Sequence, residues 1–201
     1  MLFALDTRLA QESRLPRLAD NETLTWGELG WLTMMGCAAA ALTTFFDFSL
    51  RVPGHAVIRV AIPLSLGLAV VPRRGAGSYM GICAILCWGA IRVLSPAAES
   101  GSSVGALTSL TLFGPVLEGM LRLIRRGKTM LIPFALAGLT CNVLAFLVRG
   151  TFKFFAVEHP GARLLKQWLS VAIFSYALCG LIAGLLAAAL FFRVGTKAEE
   201  T

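Results

Sequence analysis

The chain has 201 residues, of which 57% are hydrophobic and 14% are charged, with a formal net charge of +7. Soluble domains are about 45–50% apolar and about 25% charged, so a soluble globule of this length could not bury its apolar surface. The composition therefore predicts an all-α integral membrane protein in contact with lipid. It excludes a disordered chain, a secreted disulfide scaffold and a soluble nucleic-acid binder. The positive net charge does not indicate nucleic-acid binding, because Lys and Arg in a membrane protein usually lie in cytoplasmic loops near anionic lipid.

Six apolar segments in chain order predict a bundle of six transmembrane helices. The segments cover about 29–48, 56–71, 76–94, 104–124, 129–148 and 167–192. They form one transmembrane domain at 29–193, preceded by a cytoplasmic or interfacial segment at 1–28 and followed by a short polar tail at 194–201. The second segment is short for an apolar core of about 30 Å and contains Pro63, so we expect it to be kinked or shielded by protein.

The polar segment at 1–28 has two interpretations, and the positions of Lys and Arg predict the orientation of the chain in the membrane. Leucines recur at roughly helical spacing within 1–28, which fits either an interfacial amphipathic helix or a flexible tail. Thr25 and Glu28 have the spacing of a capping box just before the first apolar run, which predicts a helix start. Eleven of the 18 Lys and Arg residues lie on the side of the two termini if all six segments cross, which favours cytoplasmic termini.

Small residues recur at intervals of four on three of the predicted helices. They are Gly36, Ala40 and Thr44 on the first, Gly77 and Gly81 on the third, and Gly180 and Gly184 on the sixth. This spacing lets helix backbones approach closely in lipid. Two interpretations stay open: packing inside the bundle, or a face that points outward and docks a separate membrane subunit.

Polar side chains within the spans are costly to bury in lipid, so each needs a role. Glu118 and Arg122, one turn apart, predict a structural ion pair, with coupling or gating as the alternative. Asn142 either hydrogen-bonds a neighbouring helix or points into a ligand cavity. Further titratable residues gather at one end of the first three spans, as ordinary snorkelling side chains or as part of a site. They are Asp47, Arg51, His55, Arg59 and Arg92.

The chain offers little for catalysis. Its five cysteines all fall in apolar stretches, where a thiol behaves as a small hydrophobe. Its two histidines lie in predicted loops, and a catalytic metal needs three or more convergent ligands. The sequence also lacks the Gly-x-x-x-x-Gly-Lys-Ser/Thr motif of a P-loop. We therefore expect no enzyme activity, no cofactor and no bound metal.

Five short stretches within residues 30–150 have a distinctive composition. They are GCAAAAL at 36–42, VPGHAVIR at 52–59, IPL at 62–64, PRRGAG at 72–77 and FGP at 113–115. Together they resemble the substrate-binding membrane subunits (S components) of energy-coupling factor transporters. Members of that family similarly have an Ala-rich first helix, a Pro-Gly loop, a short second helix and a Gly-rich start to the third.

The resemblance implies a substrate-binding subunit of an importer in a bacterial or archaeal cell membrane. The partners it implies are a small-molecule substrate, a T-component membrane subunit and ABC ATPases. It implies a cavity on the outer face, where the donors and positive charge favour a vitamin-like nutrient with a carboxylate or phosphate. The residues at these positions are Arg51, His55, Arg59, Arg92, Asn142 and Arg149. Docking onto the T component would use Gly36, Ala40 and Thr44, which we expect to face outward from the bundle.

Two other functions stay open. The chain could be a non-catalytic accessory or structural membrane subunit, in which the polar residues only anchor helix ends. It could also be a small stand-alone transporter or channel that works without ATP.

Overall fold

The structure of the protein is a computed structural model that describes residues 24–46, 53–95, 103–123, 131–155 and 165–198. Within these ranges the chain forms six helices and no strand. The helices are α1 (Trp26–Phe45), α2 (Ala56–Val70), α3 (Ala76–Leu94), α4 (Val104–Leu123), α5 (Leu131–Phe154) and α6 (Leu165–Ala198). The prediction of an all-α chain is confirmed for these residues.

Four stretches of helix are long and apolar enough to cross a membrane. They are Ala76–Leu94, Val104–Leu123, Leu131–Phe154 and Val171–Val194. The helix α2 is apolar but has only 15 residues, which rise about 22 Å at 1.5 Å per residue. The structure thus supports a membrane protein with several spans, and the crossing of the bilayer by α1 and α2 stays a prediction.

Local hydrogen bonds explain where α1 begins. The Thr25 hydroxyl accepts from the backbone N–H of Glu28 (3.3 Å), and the Glu28 carboxylate accepts from the backbone N–H of Thr25 (2.8 Å). These reciprocal bonds satisfy donors that the first helical turn leaves without partners, so the predicted capping box is confirmed. Of the segment 1–28, predicted to be an interfacial helix or a flexible tail, residues 1–23 lie outside the described residues, and Trp26 to Glu28 form the first turn of α1.

The last two helices are longer than the apolar segments suggest. The helix α5 continues to Phe154, so Arg149 lies within a helix and not in the predicted link. The helix α6 continues to Ala198, into the segment predicted to be a polar tail. The aliphatic part of a Lys or Arg side chain can lie along apolar surface while its charged group reaches polar surroundings. A helix can therefore continue through a cationic residue near the edge of the membrane.

The short helix α2 contacts all five other helices of the bundle. The other five contact one another in the series α1, α3, α4, α5 and α6, and among the described residues α1 and α6 do not touch. Nine of its 15 residues are buried. Because protein covers most of this helix, a length below the thickness of a bilayer core and an internal Pro63 are tolerated. The predicted shielding of the second segment is therefore confirmed.

Small residues line the helix contacts, whereas large apolar residues lie outside. A Cβ placed on Gly77 would lie 2.4 Å from the carbonyl oxygen of Gly114 on α4. On the outside, Phe174 of α6 is 80% exposed and Leu86 of α3 is 67% exposed. This distribution suits a bilayer, where acyl chains solvate apolar side chains and helices associate by close backbone packing.

The stripe formed by Gly36, Ala40 and Thr44 packs inside the bundle, so the prediction that it faces outward is wrong. Gly36 and Ala40 are buried, and a Cβ on Gly36 would lie 2.7 Å from the carbonyl oxygen of Met80. Thr44 is half-buried, and its hydroxyl donates to the carbonyl of Ala40 (2.9 Å). The physical reason is that α1 uses its small residues to approach α3 closely.

Candidate functional site

Polar contacts among the described residues concentrate at two opposite ends of the bundle. One group, here named the Arg73 end, joins the starts of α1 and α3 to the end of α4. It consists of Glu28, Arg73, Glu118 and Arg122. The other group, here named the Arg59 end, lies near the start of α2, in the second half of α5 from its middle onward, and in the first half of α6. It consists of His55, Arg59, Asn142, Arg149 and Tyr176.

At the Arg73 end, the carboxylate of Glu118 caps the helix α3. Glu118 is only 4% exposed, and it accepts hydrogen bonds from the backbone N–H groups of Gly75 (2.6 Å) and Gly77 (3.1 Å). Gly75 is the N-cap residue of α3 and has no side chain with which to cap it. A carboxylate from α4 therefore satisfies the free donors of α3 and lies at the positive end of its dipole.

Arg122 forms an ion pair with Glu118 from one turn further along α4. The structural ion pair predicted from their spacing is therefore confirmed. The side chain of Arg122 is 42% exposed, whereas that of Glu118 is nearly inaccessible. The guanidinium thus neutralises a buried carboxylate from the surface of the bundle.

A second carboxylate, that of Glu28 on α1, binds the turn between α2 and α3. The Nε of Arg73 in this turn lies 2.7 Å from a carboxylate oxygen of Glu28. The backbone N–H of Thr25, and then the Arg73 guanidinium, hold the pKa of the Glu28 carboxyl below its usual range. The turn between α2 and α3 is therefore fixed from α1 by Glu28 and from α4 by Glu118.

At the Arg59 end, Asn142 connects three parts of the chain. Asn142 is 1% exposed, and its Nδ2 donates to the carbonyl oxygens of Tyr176 (2.6 Å) and Gly54 (3.2 Å). It therefore ties α5 to α6 and to the turn before α2. Of the two roles open for Asn142, the structure shows the hydrogen bond to a neighbouring helix.

Tyr176 is a residue of this cluster that the sequence analysis did not single out. It is buried, its ring packs on Phe146 with centroids 5.5 Å apart, and a Cβ on Gly54 would lie 2.9 Å from its ring. Gly54 has φ +87°, a conformation that favours glycine. The feature of the sequence that could have drawn attention to Tyr176 is that the chain has only two tyrosines.

Arg59 places a positive charge within the bundle. It lies on α2, is 6% exposed, and donates through Nη1 to the backbone carbonyl of Phe46, just beyond α1. His55 is the N-cap residue of the same helix, and its side chain makes no capping hydrogen bond. A guanidinium in such surroundings is tolerated only where hydrogen-bond acceptors or counter-charges compensate the loss of water.

The other predicted site residues lie at different positions. Arg149 is half-buried on α5, where its Cβ and the Tyr176 hydroxyl both flank Gly105 at the start of α4. Arg92 lies on α3 with its guanidinium carbon 5.8 Å from the ring centre of Trp88, a cation–π contact within one helix. Asp47 and Arg51 lie outside the described residues. The structure thus brings Asn142, Arg149 and Tyr176 together and places Arg92 on Trp88.

No group of three or more His, Cys, Asp or Glu side chains is placed to hold a metal ion in the part of the chain that the structure describes. Comparisons with protein-family models, with curated proteins and with solved structures yield no match for this chain.

Replacing Asn142 with leucine is expected to lower the free energy of unfolding by about 1–2 kcal/mol, because the variant loses its bonds to two backbone carbonyls. The measurement is denaturation of the detergent-solubilised protein by SDS, followed by circular dichroism. Ser175→Ala is the matched control, since that hydroxyl donates only within α6 and its loss should change stability by less than about 0.5 kcal/mol. Equal stability of Asn142→Leu and the wild type would contradict the connecting role.

Proposed function

We propose that the chain is the substrate-binding membrane subunit of an energy-coupling-factor-type importer, and that it captures a small anionic, vitamin-like nutrient at the Arg59 end. In this proposal all six helices cross the membrane and both termini are cytoplasmic. A T component and ABC ATPases supply the energy. The burial of Arg59 on α2, the helix that contacts all the others, is the observation that carries the proposal.

The distribution of charge supports an anionic ligand. In the part of the chain that the structure describes, the two carboxylates, Glu28 and Glu118, both lie at the Arg73 end. The described charges at the Arg59 end, on Arg59 and Arg149, are positive. Each of these two arginines would attract an anion that comes within reach, and more strongly in surroundings of low dielectric than in water.

The chemistry of arginine supports the same assignment. A guanidinium has five N–H donors in a planar fork that matches a carboxylate or phosphate. One nitrogen of Arg59 donates to the carbonyl of Phe46, and the planar fork of a guanidinium can bond to more than one acceptor at once. Charge-assisted bonds of this kind are roughly twice as strong as neutral ones.

The contact with a T component is not assigned to Gly36, Ala40 and Thr44, because Gly36 and Ala40 are buried in the bundle and Gly36 packs against α3. The exposed surface of another helix would have to make it. The proposal therefore keeps the substrate-binding function and drops the docking surface that the resemblance implied.

A thermal-shift screen of the detergent-solubilised protein against small carboxylates and phosphates tests the proposal. A true ligand at 100 times its Kd should stabilise the protein by about 2.7 kcal/mol. Arg59→Gln should weaken its binding by about tenfold to a hundredfold, as expected for loss of a charged hydrogen bond. Arg149→Gln should weaken binding as well, and it probes the site separately if Arg59→Gln folds poorly.

Arg74→Gln is the matched control, because Arg74 is an exposed arginine in the turn at the opposite end. It should bind the ligand as the wild type does. The proposal is contradicted if no anion stabilises the protein, or if both Arg59→Gln and Arg149→Gln bind with unchanged affinity.

A non-catalytic accessory subunit is the second candidate, and a specific observation favours it. Glu118, Asn142 and Arg59 all bond to the chain's own backbone, as residues that only stabilise a bundle would. This function predicts no stabilising anion and a partner that copurifies without ATPases. A stand-alone transporter, by contrast, would move its solute across liposomes without ATP.

A further inference from the structure

One side of the short helix α2 is not fully covered by the bundle. Nine of its 15 residues are buried, and four of the other six follow one another at intervals of four: Ile58, Ile62, Leu66 and Val70. Residues at this spacing lie along one side of a helix. These four residues, here named the apolar stripe, end at Val70, which is the last residue of α2 and is 46% exposed.

The apolar stripe lies where the surrounding series of helices is open. Both α1 and α6 contact α2, but α1 and α6 do not touch each other among the described residues. Protein covers the other sides of α2, so its less buried side faces the opening between α1 and α6. The stripe is therefore the floor of a groove, with α1 and α6 as its walls, that opens to the acyl chains of the bilayer.

The length of the apolar stripe fits an acyl chain of one leaflet. From Ile58 to Val70 the helix rises about 18 Å at 1.5 Å per residue. The hydrocarbon core of a bilayer is about 30 Å thick, so each leaflet contributes about 15 Å. A transmembrane helix of a partner would extend well beyond the stripe, whereas a lipid tail would match it.

Arginines lie at the end of the groove that Val70 marks. Arg73 and Arg74 follow Val70 within four residues, in the turn between α2 and α3. Arg73 forms an ion pair with Glu28 of α1 (2.7 Å), and Arg74 is exposed. The apolar stripe and an exposed guanidinium are thus continuous along the chain.

The wall formed by α6 adds positive charge at the same end. Gly105 near the start of α4 packs on Ala145 late in α5, so these helices are antiparallel and α5 begins at the Arg73 end. Phe191 of α6 packs on Phe134 in the first turn of α5, with ring centres 5.1 Å apart. The exposed Arg193 follows two residues later. In the part of the chain that the structure describes, four arginines and two glutamates therefore lie at this end.

We propose that this groove is a binding site for an anionic phospholipid. Its acyl chain lies on the apolar stripe, and Arg74 binds its phosphate, while Arg193 adds positive charge nearby. The planar fork of a guanidinium matches phosphate oxygens. A phosphatidylcholine carries a positive charge beside the same phosphate, so the arginines attract it less. The site lies at the opposite end from the proposed nutrient site and does not depend on it.

Photocrosslinking of the full chain in vesicles tests this inference. The vesicles are phosphatidylcholine with a small fraction of phosphatidylglycerol that carries a diazirine on its acyl chain, and labelled peptides are mapped by mass spectrometry. We expect residues 58–70 to be labelled more than the outer faces of α3 and α6, where Leu86 is 67% and Phe174 is 80% exposed. Diazirine-labelled phosphatidylcholine with the same acyl chains is the lipid control, and it should show no such preference. Equal labelling of all exposed faces by both lipids would overturn the inference.

Charge variants test the role of the headgroup. Arg74→Gln should lower the labelling of residues 58–70 by phosphatidylglycerol up to about fivefold, as expected for one arginine near anionic lipid. The double variant Arg74→Gln with Arg193→Gln should lower it further. Arg92→Gln is the matched control, because Arg92 lies on Trp88 late in α3, and its labelling should equal that of the wild type. Unchanged labelling in the double variant would contradict the site.

Glycerol 1-phosphate distinguishes a lipid from a free phosphate. Added in excess, it should not reduce the labelling of residues 58–70, because it lacks the acyl chain that lies on the apolar stripe. Loss of this labelling in the presence of glycerol 1-phosphate would mean that the arginines bind a soluble phosphate, and the lipid site would be wrong.

Discussion

Replacing Glu118 with alanine is expected to lower the free energy of unfolding by about 2–4 kcal/mol, because two backbone donors lose their acceptor at once. The N–H groups of Gly75 and Gly77 both bond to this carboxylate. Gly75 has no side chain to replace it, and Gly77 is buried, so water has little access to the second donor. The measurement is SDS denaturation of the purified protein, with hydrogen exchange of the 73–79 segment as a local readout.

Arg122→Ala separates the cap from the ion pair. The Arg122 side chain is 42% exposed, and without it Glu118 would still accept from the two backbone donors. The expected cost is therefore about 1 kcal/mol, as for a partly exposed pair. If Arg122→Ala destabilised the protein as much as Glu118→Ala, the capping role would be wrong and the ion pair would be the main contribution.

This site shows what a single sequence can and cannot predict. The spacing of Glu118 and Arg122 on one helix predicted their ion pair, because residues four apart share a helix face. The bonds from Glu118 to Gly75 and Gly77 join residues more than forty positions apart. No pattern within one helix carries that information, because it depends on how α3 and α4 pack.

The same limit explains the error over the stripe on α1. Spacing of small residues predicts that a backbone comes close to this face, and that is correct for Gly36. It does not say whether the approaching backbone belongs to the same chain. In the structure, the backbone that approaches Gly36 is that of Met80 and Ala84 of α3, in the same chain.

The helices themselves were largely predictable, because apolar runs of this length have few alternatives in lipid. The positions at which the helices end were harder to predict from the sequence. Lys153 falls within the last turn of α5, where a cation is favourable next to free carbonyl groups. Counting charges as helix ends therefore made the predicted fifth segment too short.

Replacing Gly138 with alanine is expected to destabilise the bundle by about 3 kcal/mol, at the upper end of what overpacking costs. A Cβ at this position would lie 2.2 Å from the carbonyl oxygen of Gly180 and 2.8 Å from the backbone N of Gly184. These atoms belong to the backbone of α6, so no side chain can rotate away to make room. The helices α5 and α6 would have to separate along their contact and lose packing beyond the substituted residue.

Gly119→Ala is the matched control, because a Cβ on Gly119 of α4 would have no neighbour within 4 Å. Alanine favours a helix over glycine by about 0.5–1 kcal/mol, so this variant should be as stable as the wild type or slightly more so. Both variants are compared by SDS denaturation at the same detergent concentration. Equal stability of Gly138→Ala and Gly119→Ala would mean that α5 and α6 do not pack backbone to backbone.

The same pair of variants should differ in anion binding at the Arg59 end. The helix α6 carries Tyr176, whose carbonyl accepts a hydrogen bond from Asn142. A shift of α6 in Gly138→Ala should therefore weaken anion binding, whereas Gly119→Ala should leave it unchanged.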